Sequence, residues 1–117
     1  MKKIYFVQMM LLMLLGLGWS AAASAYDFKV ENEDGVTIYY NVVNDNAAIV
    51  TSGYFASNED TRYSGNIVIP STVLRDGQSM PVIGIGGYAF ANCYDLTSIV
   101  IPNTITSIGN SAFSTCI

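Results

Sequence analysis

The chain has 117 residues, of which 51% are hydrophobic and 12% are charged, and its formal net charge is −4 at pH 7. It contains no histidine, which excludes Ser–His and Cys–His catalytic pairs and most zinc sites, and removes the commonest general base. The acidic balance argues against nucleic acid as a partner, since that role needs clustered lysine and arginine.

Residues 1–25 have the three parts of a secretory signal peptide. Lys2 and Lys3 give a positive start, an apolar run covers residues 4–17, and Ala23-Ser24-Ala25 has the small–x–small form of a cleavage site. The apolar run is shorter than the roughly 20 residues of a membrane-spanning helix, although an uncleaved anchor is the alternative. Cleavage would leave a small acidic domain with three basic and nine acidic residues, a net charge of −6.

Residues 26–64 are predicted to be a β-rich region. Between residues 36 and 43 the side chains alternate with the period of a strand. Asp34-Gly35 before this run and residues 44–46 after it are turn-forming, so residues 47–51 are the predicted return strand of a hairpin. A further loop is expected at 57–60. We expect this region to cap the repeats that follow.

A 23-residue repeat follows. The pattern I-G-x-x-A-F-x-x-C at residues 85–93 recurs at 108–116, and the tetrapeptide Ile-Val-Ile-Pro begins at Ile67 and again at Ile99. The second spacing exceeds the first by nine residues, which we assign to a polar loop at 74–82 centred on Asp76-Gly77. A fixed period in the twenties indicates a solenoid, in which each unit buries its apolar face against its neighbours.

Each unit is predicted to contain one short strand that a proline ends, followed by a turn and one helical turn at 112–116. Copies would stack in parallel, so strands 67–69 and 99–101 should lie side by side. Four isoleucines are predicted to face the core: Ile99, Ile101, Ile105 and Ile108.

The pattern over residues 96–116, L-x-x-I-x-I-P-x-x-I-x-x-I-G-x-x-A-F-x-x-C, resembles the BspA-like leucine-rich repeats of bacterial surface proteins. The resemblance covers about residues 65–117, and the β-rich stretch before it is similar to the start that often precedes such repeats. It implies a mainly β fold, with an N-terminal hairpin region at 26–64 and a short leucine-rich-repeat solenoid at 65–117. Because the sequence stops inside a repeat, we expect it to be the N-terminal piece of a longer protein.

Other patterns admit two interpretations. Cys93 and Cys116 share a repeat phase, which favours stacked core residues, with a disulfide or a reactive thiol as alternatives. Residues 84–89 match the dinucleotide pattern G-x-G-x-x-A, but no acidic residue follows about 20 positions on, and a similar run at 107–112 marks the pattern as part of the repeat.

The acidic turns at 31–35 and 44–46 leave calcium as an alternative, although neither has the spacing of a calcium loop. Glu59 and Asp60 are adjacent in a predicted loop, which disfavours a catalytic acid–base pair. We therefore predict no catalytic residue, no cofactor and no metal site.

The resemblance implies an exported protein, cell-surface or secreted, that acts as a protein-binding or adhesion module. Its partner would be a protein or glycan on another cell or matrix, and it would meet a membrane only through the signal peptide during export. The alternative is a structural cap or stalk of a larger secreted protein. The possible interaction surface combines outward strand positions with tyrosines, which are common in interfaces: Asn66, Val68, Ser98, Val100, Tyr88 and Tyr94.

Overall fold

The computed structural model describes residues 26–53 and 62–116, so the predicted signal peptide and the predicted loop at 57–60 lie outside the described residues. Within them no helix is long and apolar enough to cross a membrane. The described residues form eight strands: β1 (Phe28–Glu31), β2 (Thr37–Val43), β3 (Ala47–Thr51), β4 (Gly65–Val68), β5 (Thr72–Arg75), β6 (Gln78–Ile85), β7 (Leu96–Val100) and β8 (Ser107–Ile108).

Strands β1 to β3 form an antiparallel meander that confirms the predicted hairpin. Tyr40 of β2 lies opposite both Phe28 of β1 and Val50 of β3. Asn44 and Asp45 turn the chain between β2 and β3 with φ angles of 54° and 63°, a left-handed conformation that these two residue types tolerate better than most.

Strands β4 and β7 pair in parallel, as the repeated Ile-Val-Ile-Pro tetrapeptide predicts. Ile67 lies opposite Ile99, and Val68 lies opposite Val100. We call this pair the first ladder. We also call residues 65–95 the first coil and residues 96–116 the second coil, since each contains one strand of the ladder and one copy of the I-G-x-x-A-F-x-x-C motif.

A second parallel ladder joins the N-terminal meander to both coils. Strand β6 pairs with β3 on one side, with Ile85 opposite Val50, and with β8 on the other, with Ile85 opposite Ile108. The amide of Gly86 donates to the carbonyl of Val50 at 2.8 Å, and the amide of Gly109 donates to the carbonyl of Ile85 at 2.7 Å. Strand β3 thus occupies the place of a preceding coil.

The nine-residue insertion is a hairpin, and the predicted polar loop at 74–82 is wrong. Strands β5 and β6 pair antiparallel around a tight turn at Asp76 and Gly77, which have φ angles of 53° and 84°. The turn is centred where the sequence places it. Met80 and Val82, however, are buried, because β6 continues from the hairpin into the second ladder.

The turn segments at 86–93 and 109–116 are not helical, and the predicted helical turn at 112–116 is wrong. Their hydrogen bonds join amides to carbonyls three residues earlier, as between Ala112 and Gly109. Four residues have φ between 57° and 60°: Tyr88, Asn92, Ser111 and Thr115. A left-handed residue cannot continue a right-handed helix, so each segment is a series of turns that repeats with the 23-residue period.

The core is a single cluster that runs from the meander into the first coil. Ile69 and Ile85 of the first coil are each 2% exposed, whereas their equivalents in the second coil, Ile101 and Ile108, are 41% and 53% exposed. The prediction that these two second-coil isoleucines face the core is wrong, because no strand of the described residues lies beyond β7 and β8 to bury them. Ile99 and Ile105 do pack against the core.

Candidate interaction surface

Four of the six predicted surface residues lie together on the outward face of the first ladder. Asn66 is paired with Ser98, and Val68 is paired with Val100. All four are exposed. The face therefore presents the same polar and apolar pair twice, once for each coil, and we call these four residues the ladder face.

Hydrogen bonds hold the polar pair of the ladder face in place. The Oδ1 atom of Asn66 accepts from the Oγ of Ser98 at 2.7 Å and from the Oγ1 of Thr97 at 2.8 Å. Two donors on one carbonyl oxygen use both of its lone pairs. Thr97 was not among the predicted surface residues, because on a strand its side chain should point away from that of Ser98.

Tyr94 lies at one end of the ladder face, two residues before β7. The guanidinium carbon of Arg62 lies 5.4 Å from the centre of its ring, a cation–π distance, and its hydroxyl contacts the Oδ1 of Asn92 at 3.4 Å. A small recess of about 180 Å³ opens here. Its lining residues are Arg62, Tyr63, Ser64, Asn92, Tyr94 and Asp95. No sequence pattern marks Arg62 as part of this surface, since its contact with Tyr94 depends on the fold.

Tyr88 is exposed but lies apart from the ladder face. It follows β6 in the turn segment of the first coil, where its amide donates to the carbonyl of Asn110 at 3.1 Å. The backbone of Tyr88 thus links the two coils while its ring faces outward. The six predicted residues are therefore divided between two parts of the surface. Five lie on or near the first ladder, and Tyr88 lies in the turn segment that follows strand β6 of the second ladder.

The glycines of the motif allow neighbouring coils to lie close together. A Cβ atom on Gly109 would lie 2.5 Å from the nitrogen and 2.8 Å from the Cα of Gly87 in the preceding coil. Neither backbone atom can give way without moving the coil. In the 84–89 run, a Cβ atom on Gly84 would lie 2.9 Å from the Oγ of Ser107, and one on Gly86 would lie 3.2 Å from the carbonyl oxygen of Val50. These glycines also lie against neighbouring strands, as the interpretation of the run as part of the repeat predicts.

Cys93 and Cys116 are both thiols. The Sγ of Cys116 donates to the carbonyl of Phe90 at 2.7 Å, and Cys93, the last residue of the turn segment of the first coil, is buried. The favoured interpretation as stacked core residues fits this arrangement. In the part of the chain that the structure describes, no group of three or more His, Cys, Asp or Glu side chains is placed to hold a metal ion.

Two buried tyrosines, Tyr40 and Tyr63, have raised pKa values. Burial raises the pKa of Tyr40 to about 12 and raises the pKa of Tyr63 well above its ordinary value. The Tyr63 hydroxyl donates to the carbonyl of Thr51 at 2.6 Å and accepts from the amide of Tyr39 at 3.0 Å. Its ring lies 4.6 Å from that of Phe90, centre to centre, so Tyr63 ties the meander to the first coil.

Residues 83–117 match the family model of the BspA-type leucine-rich repeat region. No curated protein matches the chain.

Two solved structures share the fold. A leucine-rich cell surface protein of Faecalibacterium prausnitzii is 32% identical with a TM-score of 0.55, over 78% of this chain and 22% of that one. A leucine-rich repeat protein of Bacteroides capillosus is 28% identical with a TM-score of 0.57, over 75% of this chain and 59% of that one. The chain thus spans about a fifth of the first protein and less than two thirds of the second.

The family match begins within β6 and continues through the second coil, which is the part of the chain that stacks with a 23-residue period. The two solved structures extend the likeness over most of the chain. These comparisons agree with the motif and with the parallel ladders: this is a mainly β protein that carries a BspA-like leucine-rich repeat.

Proposed function

We propose that this chain is exported, displayed on the cell surface or secreted, and binds a protein or glycan on another cell or matrix through its repeat stack. The observation that carries the proposal is the ladder face, where Asn66 and Val68 are repeated in register by Ser98 and Val100. A surface repeated at the coil spacing is the extended binding surface typical of solenoids. The description of one similar protein as a cell surface protein supports the location.

The composition of this surface suits a protein partner. Val68 and Val100 supply an exposed apolar pair, and the hydrogen-bonded Asn66 and Ser98 lie beside it. Interfaces commonly combine an apolar centre with a polar rim. Tyr94, stacked with a guanidinium at the end of the face, is of a residue type that often dominates binding energy. We propose no enzymatic activity for this surface.

A charge placed on the ladder face tests the proposal. Val100→Lys should weaken binding at least about ten-fold to whichever member of a panel of immobilised matrix proteins and glycans the wild-type chain binds, because it puts an ammonium group at the apolar centre. The matched control is Ile108→Lys, because Ile108 is 53% exposed against 55% for Val100 but lies on β8, outside the ladder face. Equal effects of the two variants, or binding to no member of the panel, would contradict a binding role for this face.

Export has its own test. The chain produced in a bacterium should be accessible to protease added outside intact cells, and mass spectrometry should identify Tyr26 as its first residue. The motive is the Ala23-Ser24-Ala25 cleavage site. A surface-exposed chain that retained Lys2 would instead support an uncleaved anchor.

The second candidate is a structural cap, with residues 26–64 as the cap and 65–117 as the repeats. It is favoured by the contacts that join the meander to both ladders: β3 pairs with β6 in parallel, and the Nδ2 of Asn32 donates to the carbonyl of Val68 at 3.0 Å. Under this candidate alone, Val100→Lys would leave every interaction of the protein unchanged.

The cap contacts are tested through Tyr63. Tyr63→Phe should lower the free energy of unfolding by about 1–2 kcal/mol, because it removes the two hydrogen bonds that fix Tyr63 to the meander, while the ring of Tyr63 packs against Phe90 of the first coil. Tyr88→Phe is the control, since Tyr88 is exposed. Urea unfolding of the two variants measures the difference, and equal stabilities would show that Tyr63 does not secure the cap.

A further inference from the structure

The nine-residue insertion at residues 74–82 has no counterpart in the second coil. In the second coil Ile105 is followed directly by the residues that lead into β8, whereas in the first coil the insertion separates Val73 from Ile83. Insertions in repeat proteins usually form surface loops. Here Met80 and Val82 are 1% and 0% exposed, so part of the insertion belongs to the core.

The hairpin that the insertion forms extends the sheet of the N-terminal meander. The strand order is β1-β2-β3-β6-β5, in which β6 pairs with β3 in parallel and with β5 antiparallel. Phe28 and Val30 of β1 pack against the buried core. The other four strands supply its buried side chains, which include Ile38, Tyr40, Val50, Val73, Met80 and Val82. The five strands therefore pack on a common core.

The first and last strands of this sheet meet without backbone pairing. Strands β1 and β5 are in contact, and the guanidinium carbon of Arg75 lies 5.4 Å from the ring centre of Phe28, a cation–π distance. Val30 of β1 and Leu74 of β5 line a common recess of about 340 Å³. In the described part of the chain no backbone ladder joins β1 to β5, so side chains hold the two strands together.

Strand β1 would be an open edge of the sheet if the hairpin were absent. The edge of a strand that lacks a neighbour carries amide and carbonyl groups that are able to pair with a strand of another molecule. On β1 only Lys29 and Glu31 are exposed. Natural proteins commonly cover such edges with another segment of the chain. Strand β5 lies where an added strand would lie.

We infer that the insertion is an edge guard: the β5–β6 hairpin closes the meander sheet onto β1 and prevents β1 from adding a strand of a second copy of this chain. Leu74 and Arg75 hold the hairpin in this position. The inference does not depend on the binding role proposed for the ladder face, because neither residue belongs to that face. Val100→Lys should therefore leave the guard intact.

Hydrogen exchange tests the contact between the two strands. Arg75→Thr should make exchange at residues 28–31 about three-fold faster, as expected when a partly exposed cation–π contact is lost, while exchange at residues 47–51 of β3 stays unchanged. Arg75→Lys should stay within about two-fold of the wild-type rate, because lysine keeps the cation. Lys29→Thr is the matched control, since it removes the same charge from an exposed position of β1, and it should change exchange less than about two-fold.

Self-association tests the guard itself. In about 150 mM salt, where repulsion between copies is screened, the double variant Leu74→Thr, Arg75→Thr should sediment as larger species than the wild-type chain and should bind thioflavin T. Lys29→Thr has the same net charge as the double variant and should sediment like the wild-type chain.

Three results would each overturn the proposal. They are unchanged exchange at β1 in Arg75→Thr, an equal effect of Lys29→Thr, and a double variant that stays monomeric while β1 exchanges faster. If the double variant unfolds as a whole, which fast exchange at β3 would reveal, the sedimentation of Arg75→Thr decides in its place.

Discussion

The two coils share the Ile-Val-Ile-Pro tetrapeptide and the I-G-x-x-A-F-x-x-C motif, yet these shared residues differ in burial. Ile67 and Ile69 of the first coil are buried, and Ile85 and Phe90 are buried with them. Their four equivalents in the second coil are only half-buried or exposed. Only the alanine of the motif is buried in both, at positions 89 and 112.

The difference shows that burial in a stack is a property of the neighbours. The first coil lies between strand β3 on one side and the second coil on the other, whereas the described second coil has a neighbour on one side only. A solenoid gains much of its stability from such coil–coil interfaces. Equivalent substitutions in the two coils should therefore have unequal effects.

The largest difference in stability is expected between Ile69 and Ile101, the isoleucines that directly follow the two strands of the first ladder. Ile69→Ala should lower the free energy of unfolding by about 3 kcal/mol, as is usual for a fully buried isoleucine, whereas Ile101→Ala should cost less than about 1 kcal/mol. Urea unfolding followed by circular dichroism measures both. Equal losses would mean that Ile101 is covered in solution by another part of the chain or by another molecule.

The next effect concerns the contact between the coils. Gly109→Ala should cost about 2–3 kcal/mol, because the new methyl group would meet the backbone of Gly87. Gly35→Ala is the control, since its Cβ meets nothing within 4 Å and only its positive φ of 78° is strained, at about 1 kcal/mol. Thermal unfolding of the two variants ranks them, and an equal or smaller shift for Gly109→Ala would contradict the close approach of the coils.

Alkaline pH should weaken the covered side of the molecule. Burial raises the pKa of Tyr40 to about 12 and that of Tyr63 further, so the folded state keeps both phenols neutral. Their stabilisation is complete below the unfolded pKa of about 10 and is lost as pH rises towards the folded values, by up to roughly 1.4 kcal/mol per pH unit for each tyrosine.

Urea unfolding between pH 9 and 11.5 measures this loss, and Tyr40→Phe should reduce its slope. The second coil, residues 96–116, contains no tyrosine, so the effect reports on the meander and the first coil. A free energy of unfolding that stayed constant up to pH 11.5 would contradict the burial of both phenols.

The smallest effect is expected at the cysteine pair. A reducing agent should leave the melting temperature unchanged, because Cys93 and Cys116 are thiols, whereas a disulfide closing a loop of this length would add about 3 kcal/mol. Thiol labelling should nevertheless separate the coils: half-buried Cys116 should react faster than buried Cys93. A lower melting temperature under reduction, or equal labelling rates, would contradict this.

Much of the fold could be predicted from periodicity. The 23-residue repeat and the shared tetrapeptide predicted the parallel pairing of Ile67 with Ile99, and alternation with turn residues predicted the β2–β3 hairpin. The turn segments were mispredicted because the spacing of Ala112, Phe113 and Cys116 fits a helical turn equally well. Only the left-handed φ angles distinguish a series of turns from a helical turn. At Tyr88 and Ser111 these angles occur in residues other than glycine, so the sequence does not indicate them.

The candidate surface could be predicted only where strand alternation applies. Alternation gave Val68 and Val100, which the parallel register then placed side by side. It could not give Arg62 beside Tyr94, since that contact joins segments far apart in the chain. The exposure of Ile101 could not be predicted either, because a repeat motif describes a coil with neighbours on both sides.

The bonds between the two turn segments run from backbone to backbone. The amides of Tyr88, Phe90 and Asn92 donate to the carbonyls of residues 110, 112 and 114 at 3.1, 2.7 and 2.9 Å. These backbone bonds do not depend on which side chains project outward from the same residues. During evolution the outer surface of this fold can therefore change one residue at a time while the framework that the backbone bonds hold together stays the same.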